Sequence, residues 1–80
     1  MEEIVKYIVG KLVKNTESVL ISSTEDAGKV TITVKVDKED MGKVIGKNGK
    51  VADSIRAIVK TASNGTQKHY FVKFEENQQN

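Results

Sequence analysis

The sequence predicts an α+β domain in the order helix, strand, strand, helix, helix, strand, a three-stranded mixed sheet with three helices packed on one face. Three observations predict it. Residues 2–14 carry an apolar stripe at helical spacing, residues 30–36 alternate between apolar and polar, and residues 41–62 hold two helical stripes separated by Gly46-Lys47-Asn48-Gly49. Two helices between the second and third strands make a crossover long enough for those strands to run parallel, and the handedness rule makes it right-handed.

The first stripe places Ile4, Val5, Ile8, Val9, Leu12 and Val13 on one side of a helical wheel, with Glu2, Glu3, Lys6, Lys11 and Lys14 opposite. Because the polar side mixes acids with lysines, core packing explains it better than a membrane surface. Asn15-Thr16-Glu17-Ser18 ends this helix. Val19-Leu20-Ile21 and the following Ser22-Ser23-Thr24 read as a short strand, and Glu25-Asp26-Ala27-Gly28 supplies a turn. Val30, Ile32, Val34 and Val36 then alternate with Thr31, Thr33 and Lys35, the pattern of a half-buried central strand rich in β-branched residues.

Asp37 is expected as an N-cap, with Asp40 in capping-box position, ahead of a helix barely two turns long whose apolar stripe is Met41, Val44 and Ile45. Gly46 stops it. The next helix, over residues 50–62, is expected to bury Val51, Ile55, Ile58, Val59 and Ala62, leaving Asp53, Arg56 and Lys60 outside. Gly65 suits its left-handed C-cap. Residues 67–74 form the last strand, with Tyr70, Val72 and Phe74 on the buried face and His69, Phe71 and Lys73 on the other. The open face of the sheet carries Thr31, Thr33, Lys35 and Phe71. One domain over residues 1–75 is expected, with residues 76–80 a polar, disordered tail.

Composition narrows the function. Eighty residues make one small domain, and a chain of this size buries only about 60% of the surface it exposes when unfolded. The absence of cysteine removes disulfide staples, thiolate metal sites and a cysteine nucleophile. A reducing, cytoplasmic setting is expected. Met1-Glu2-Glu3-Ile4-Val5-Lys6 opens with acids, so no secretory leader is expected, and no apolar run approaches a membrane span.

Net charge is +2, but it is unevenly spread. Residues 1–40 hold six lysines and eight acids, whereas residues 41–80 hold six lysines, one arginine and three acids. Between residues 41 and 52 stand Lys43, Lys47 and Lys50 and no acid, which centres a positive field on the glycine loop. Gly46 sits where a helix ends and the chain reverses. Gly49 opens the next helix, where amide groups and the positive end of the dipole suit a phosphate and a missing side chain allows close approach. Asn48 adds a neutral donor. Gly42 costs a short helix roughly 1 kcal/mol against alanine, which clearance for a ligand would explain.

This is not the phosphate loop of nucleotide-binding enzymes. Gly42-Lys43-Val44-Ile45-Gly46-Lys47-Asn48 has three residues between its glycines rather than four, lacks Ser or Thr after the lysine, and follows no strand. Catalysis is not expected either. His69 stands alone without an evident nucleophile, and capping explains Asp37, Glu39 and Asp40 more simply than metal binding does. Neither a cofactor nor a metal is implied.

The run Asp40-Met41-Gly42-Lys43-Val44-Ile45-Gly46-Lys47-Asn48-Gly49-Lys50-Val51-Ala52-Asp53-Ser54-Ile55-Arg56 closely resembles the signature of KH domains, and the element order is that of the bacterial type II form. From residue 2 to about residue 75 the chain resembles the small bacterial single-KH proteins of the KhpA/YlqC family. The resemblance implies binding of single-stranded RNA, about four nucleotides per domain, clamped by the G-x-x-G loop. Gly46, Lys47, Asn48 and Gly49 would be the clamp. Val44, Ile45 and Ile55 would support or line an apolar floor, Lys43 and Lys50 would touch flanking phosphates, and the last strand near Lys68 and His69 would border the groove. Tyr70 and Phe71 are bulkier than the family's last strand leads one to expect. The resemblance also implies self-association, pairing with a larger KH protein of the Jag or KhpB type, and a role as RNA chaperone or regulator in cell elongation and division. Exposed faces of the 50–62 helix are the expected dimer surface. The competing reading is a protein-interaction domain whose glycine loop is merely a turn.

Overall fold

The computed structural model describes residues 1–77. Helix α1 spans Glu2–Leu12, with Glu2 and Glu3 in its first turn and Lys11 in its last, the polarity that complements the helix dipole. Strands β1 (Leu20–Asp26) and β2 (Lys29–Val36) pair antiparallel across Ala27 and Gly28. Both turn residues have positive φ, 51° and 82°, as a tight hairpin requires. Helix α2 (Met41–Ile45) and helix α3 (Lys50–Ala62) carry the chain over to strand β3 (His69–Glu76), which runs parallel to β2. The sheet order is β1-β2-β3, so the element order and mixed pairing match the sequence reading.

The β2–β3 register sets Val30 against Tyr70, Ile32 against Val72 and Val34 against Phe74, so the three expected apolar residues of β3 share the helix-facing side. Val72 is buried and the other two pack against the core. That core combines Val5 and Val9 of α1, Ile32, Val34 and Val36 of β2, Val44 of α2, and Ile55 and Val59 of α3. The opposite face carries Thr31, Thr33 and Lys35 with Phe71, which is 52% exposed.

Several sequence expectations need correction. Helix α3 buries Ala52, Ile55 and Val59, whereas Val51 is half-buried, Ala62 is exposed and Ile58 is 45% exposed. At 3.6 residues per turn Ile58 stands roughly 90° from the centre of the buried stripe. Helix α1 ends at Leu12 rather than residue 14, and Ile4 faces outward for the same geometric reason. Strand β3, expected over residues 67–74, runs instead over His69–Glu76. Past it, Asn77 donates from its backbone N–H to the Val36 carbonyl at 2.7 Å and from Nδ2 to the Ser18 carbonyl at 2.7 Å. Residues 78–80 of the expected tail lie outside the described residues. Among the described residues no helix is long and apolar enough to cross a membrane.

Candidate nucleic-acid interface

The loop is held from both sides. Upstream, Asp37 caps a short 3-10 turn (Lys38–Asp40) by accepting the Glu39 N–H at 3.0 Å. Asp40 does not complete a capping box. Its fully buried carboxylate turns to the end of α1, accepting the backbone N–H groups of Lys14 at 3.0 Å and Asn15 at 2.9 Å. The physical reason is that the chain after α1 leaves amide donors that need partners in a buried place. The Lys14 amide, then the Asn15 amide, hold the Asp40 carboxyl below its ordinary value of 3.8; burial opposes them and Lys43 adds to them. Asp40 thereby ties the start of α2 to the end of α1.

Lys43 is drawn to the same carboxylate, Nζ to Oδ1 3.5 Å. Gly42 is exposed, and a Cβ built there would meet nothing within 4 Å. The fold does not demand that glycine.

Gly46 closes α2, its N–H donating to the Gly42 carbonyl at 2.9 Å with φ at 77°. A Cβ at Gly46 would lie 2.8 Å from both Cβ and the backbone nitrogen of Val51, so this glycine is required by close approach as well as by φ. A single 3-10 turn over Lys47–Gly49 follows, with Asn48 at φ 57° and ψ 27° and Gly49 at φ 75° and ψ 12°. Asparagine is among the few non-glycine types that tolerate this left-handed region. The Gly49 N–H, expected from the sequence to face outward, donates instead to the Gly46 carbonyl at 3.2 Å. A tight turn must satisfy its own amides first.

Lys47, Asn48 and Lys50 are exposed, and among the described residues Lys47 and Lys50 form no ion pair. The nearest acid downstream, Asp53, is 3.4 Å from Arg56 NH1. Val44 and Ile55 are buried in the core, and Ile45 is half-buried.

Lys68 is not brought to the loop. It follows the C-terminal end of α3, whose 13 residues span about 20 Å. Its ammonium pairs with Glu25 on β1 at 2.9 Å, and this carboxylate raises the lysine pKa. His69 is exposed at the start of β3, its N–H donating to the Gly28 carbonyl at 2.8 Å.

Arg56 is a residue the sequence reading left on the solvent side of its helix. Its Nε donates to the Val72 carbonyl at 3.2 Å, and its guanidinium carbon lies 5.5 Å from the Phe74 ring centroid. It therefore spans from α3 to the unpaired edge of β3. No local pattern could reveal this contact, which depends on the crossover placing α3 alongside β3.

Two concavities lie away from the loop. One of about 370 Å³ lies between α1 and β1, lined by Glu2, Lys6 and Leu20 among others, and one of about 380 Å³ is lined by Ala57, Ile58, Thr61 and Ala62. Among the described residues no group of three His, Cys, Asp or Glu side chains could hold a metal ion.

A glycine-lysine-asparagine-glycine turn joining two helices, within a helix-strand-strand-helix-helix-strand chain around a mixed sheet, defines a KH domain of type II topology. The family model described as the KhpA/KhpB KH domain matches residues 2–74. The chain belongs to that family. Its curated relatives include proteins called "RNA-binding protein KhpA". That of Caldanaerobacter subterraneus subsp. tengcongensis is 41% identical over 91% of this chain and 97% of the relative. The Listeria monocytogenes serovar 1/2a protein is 46% identical over 74% and 78%, and the Treponema pallidum protein 32% identical over 86% of each. No solved structure matches the chain.

Proposed function

We propose that this chain is a single-stranded RNA-binding KH module that clamps the RNA backbone with Gly46, Lys47, Asn48 and Gly49. The observation that carries the reading is the turn itself. Its backbone is fixed by three successive constraints, at Gly46, Asn48 and Gly49, and it presents unpaired lysines at the start of a helix. The names of the relatives support it. Lys47 and Lys50 contact consecutive phosphates, Asn48 donates a neutral hydrogen bond, and the vacant space outside Gly42 admits the strand. Lys43 contributes less than its position suggests, because Asp40 competes for it.

The groove continues from the loop along α3 towards β3, with Ile45 as apolar floor and Lys68 at its far end. Lys68 engages RNA by leaving Glu25. The module acts as an RNA chaperone or post-transcriptional regulator, in the family's role in cell elongation and division. The test is the double variant Lys47→Asp with Asn48→Asp. It should lose binding to a mixed-sequence single-stranded RNA while its melting temperature barely moves. Undiminished affinity in a folded double variant would sink the reading.

A second reading, protein interaction, is favoured by one observation: Ile58 stands exposed beside Ala57, Thr61 and Ala62. We place the homodimer, or the pairing with a larger Jag/KhpB-type KH protein, on this face, where joining two weak clamps raises avidity. Ile58→Asp should yield a monomer. If stoichiometric, RNA-free complexes survive the loop substitutions and no RNA binds, interaction alone is the function.

A further inference from the structure

Two Asn-Gly dipeptides, Asn48-Gly49 and Asn64-Gly65, have exposed asparagines and no part in the fold's core, although Gly49 is half-buried. One of them lies inside the lysine turn. We infer that Asn48 is a self-modification site, where spontaneous deamidation converts a neutral donor into a carboxylate and retires the clamp without unfolding the domain. This rests on the RNA reading above for its consequence, though not for its chemistry.

In the reaction the Gly49 backbone nitrogen, after giving its proton to solvent, attacks the carboxamide carbon Cγ of Asn48. The Cγ–N bond forms, the Cγ–Nδ2 bond breaks, and Nδ2 leaves as ammonia, taking up a proton. Water then adds to either carbonyl of the cyclic imide and opens it to aspartate or isoaspartate at this position. Neither an oxidant nor a cofactor is consumed.

Two features of the structure favour the step, and one hydrogen bond opposes it. Gly49 has no side chain to obstruct its own nitrogen, and even a Cβ built there would meet nothing within 4 Å. Closing the ring requires the Asn48–Gly49 peptide plane to turn over, which gives up one hydrogen bond, Gly49 N–H to the Gly46 carbonyl, at 3.2 Å. Glycine accepts the altered dihedrals on its side of that plane. Finally, the flanking exposed Lys47 and Lys50 stabilise negative charge as it develops on the nitrogen and on the imide oxygens.

The consequence follows from charge. A carboxylate between two phosphate-binding lysines sets a like charge against the RNA backbone. Two unit charges 4 Å apart repel by about 1 kcal/mol even in bulk water, about fivefold in affinity. The isoaspartate product adds a backbone atom to a turn whose φ values are tightly set. The same dipeptide at Asn64-Gly65 lies in the turn after α3, its Asn64 N–H donating to the Thr61 carbonyl at 3.1 Å, and serves as an internal reference outside the clamp.

The experiment ages the intact protein in mildly alkaline buffer, with and without a mixed-sequence single-stranded RNA. Peptide mapping by mass spectrometry locates the amide-to-acid conversion, and ion exchange separates the acidic isoforms. Asn48 should convert in the folded protein and convert more slowly with RNA bound. The isoform converted at Asn48 should bind RNA at least about fivefold more weakly at an unchanged melting temperature, whereas the isoform converted at Asn64 should bind as the parent does. An Asn48 that keeps its amide while Asn64 converts overturns the inference, as does a converted isoform of undiminished affinity. If the unmodified protein binds no RNA, the RNA reading itself fails and the switch falls with it, whatever the mass map shows.

Discussion

Replacing each glycine of the turn by alanine should separate the job of holding the fold from the job of meeting the ligand. At Gly46, alanine must adopt φ near 77° with ψ near 174°, a region essentially reserved to glycine that costs roughly 1–3 kcal/mol. Its Cβ must also intrude to 2.8 Å from Val51 Cβ and N, an overpacking that adds about 1–3 kcal/mol. At Gly49, φ 75° and ψ 12° fall in the left-handed region, which costs roughly 1–2 kcal/mol, and open space surrounds the new Cβ. The reduced freedom of the unfolded chain offsets about 0.4–1 kcal/mol in either variant. Gly46→Ala should therefore lose about 2–4 kcal/mol and Gly49→Ala about 1 kcal/mol. In thermal melts of a domain this size each kcal/mol is about 4–8 °C. RNA affinity should fall for Gly49→Ala although its fold survives, because the methyl group occupies the approach to the α3 N-terminus. Equal melting losses for the two variants would refute the assignment of Gly46 to packing against Val51.

Two further outcomes follow from the side chains that hold the turn. Asp40 has a carboxyl depressed in the fold, so its contribution is fully present above the ordinary value of 3.8 and is lost as pH falls through and below it. Asp40→Asn should lower the melting temperature at neutral pH, since one amide oxygen cannot replace two carboxylate acceptors, and should flatten the acid limb so that the two curves converge at low pH. Arg56→Ala should cost about 1 kcal/mol in urea denaturation by releasing the Val72 carbonyl and the Phe74 ring, whereas Arg56→Lys, which lacks the planar fork, should recover little of it.

Much of the fold was legible because β2 writes its own period. Val30, Ile32, Val34 and Val36 could face only one way, and with the centre fixed the two helices of the crossover forced β3 to lie parallel. The glycine turn was legible because Gly46 and Gly49 both take positive φ, which glycine adopts freely and other residues do not. What escaped was set by tertiary geometry. The helical wheel of residues 50–62 shows an apolar arc from Val51 to Ala62, yet the contact with the sheet is narrow and leaves Ile58 outside. Asp40 looked like a local cap because the Lys14 and Asn15 amides that need it lie about 25 residues upstream. Lys43 and Lys68 looked like free charges because their acidic partners Asp40 and Glu25 are brought beside them by helical phase and by the sheet.

The proposed function requires RNA to meet the chain at the lysine turn. Backbone amide resonances followed through a titration with mixed-sequence single-stranded RNA test it most directly. The largest shifts are expected from Gly46 through Ala52, weakening along α3 towards Lys68 and absent from the open sheet face of Thr31, Thr33 and Phe71. Shifts confined to that face, or to Ile58 and its neighbours on α3, would contradict it.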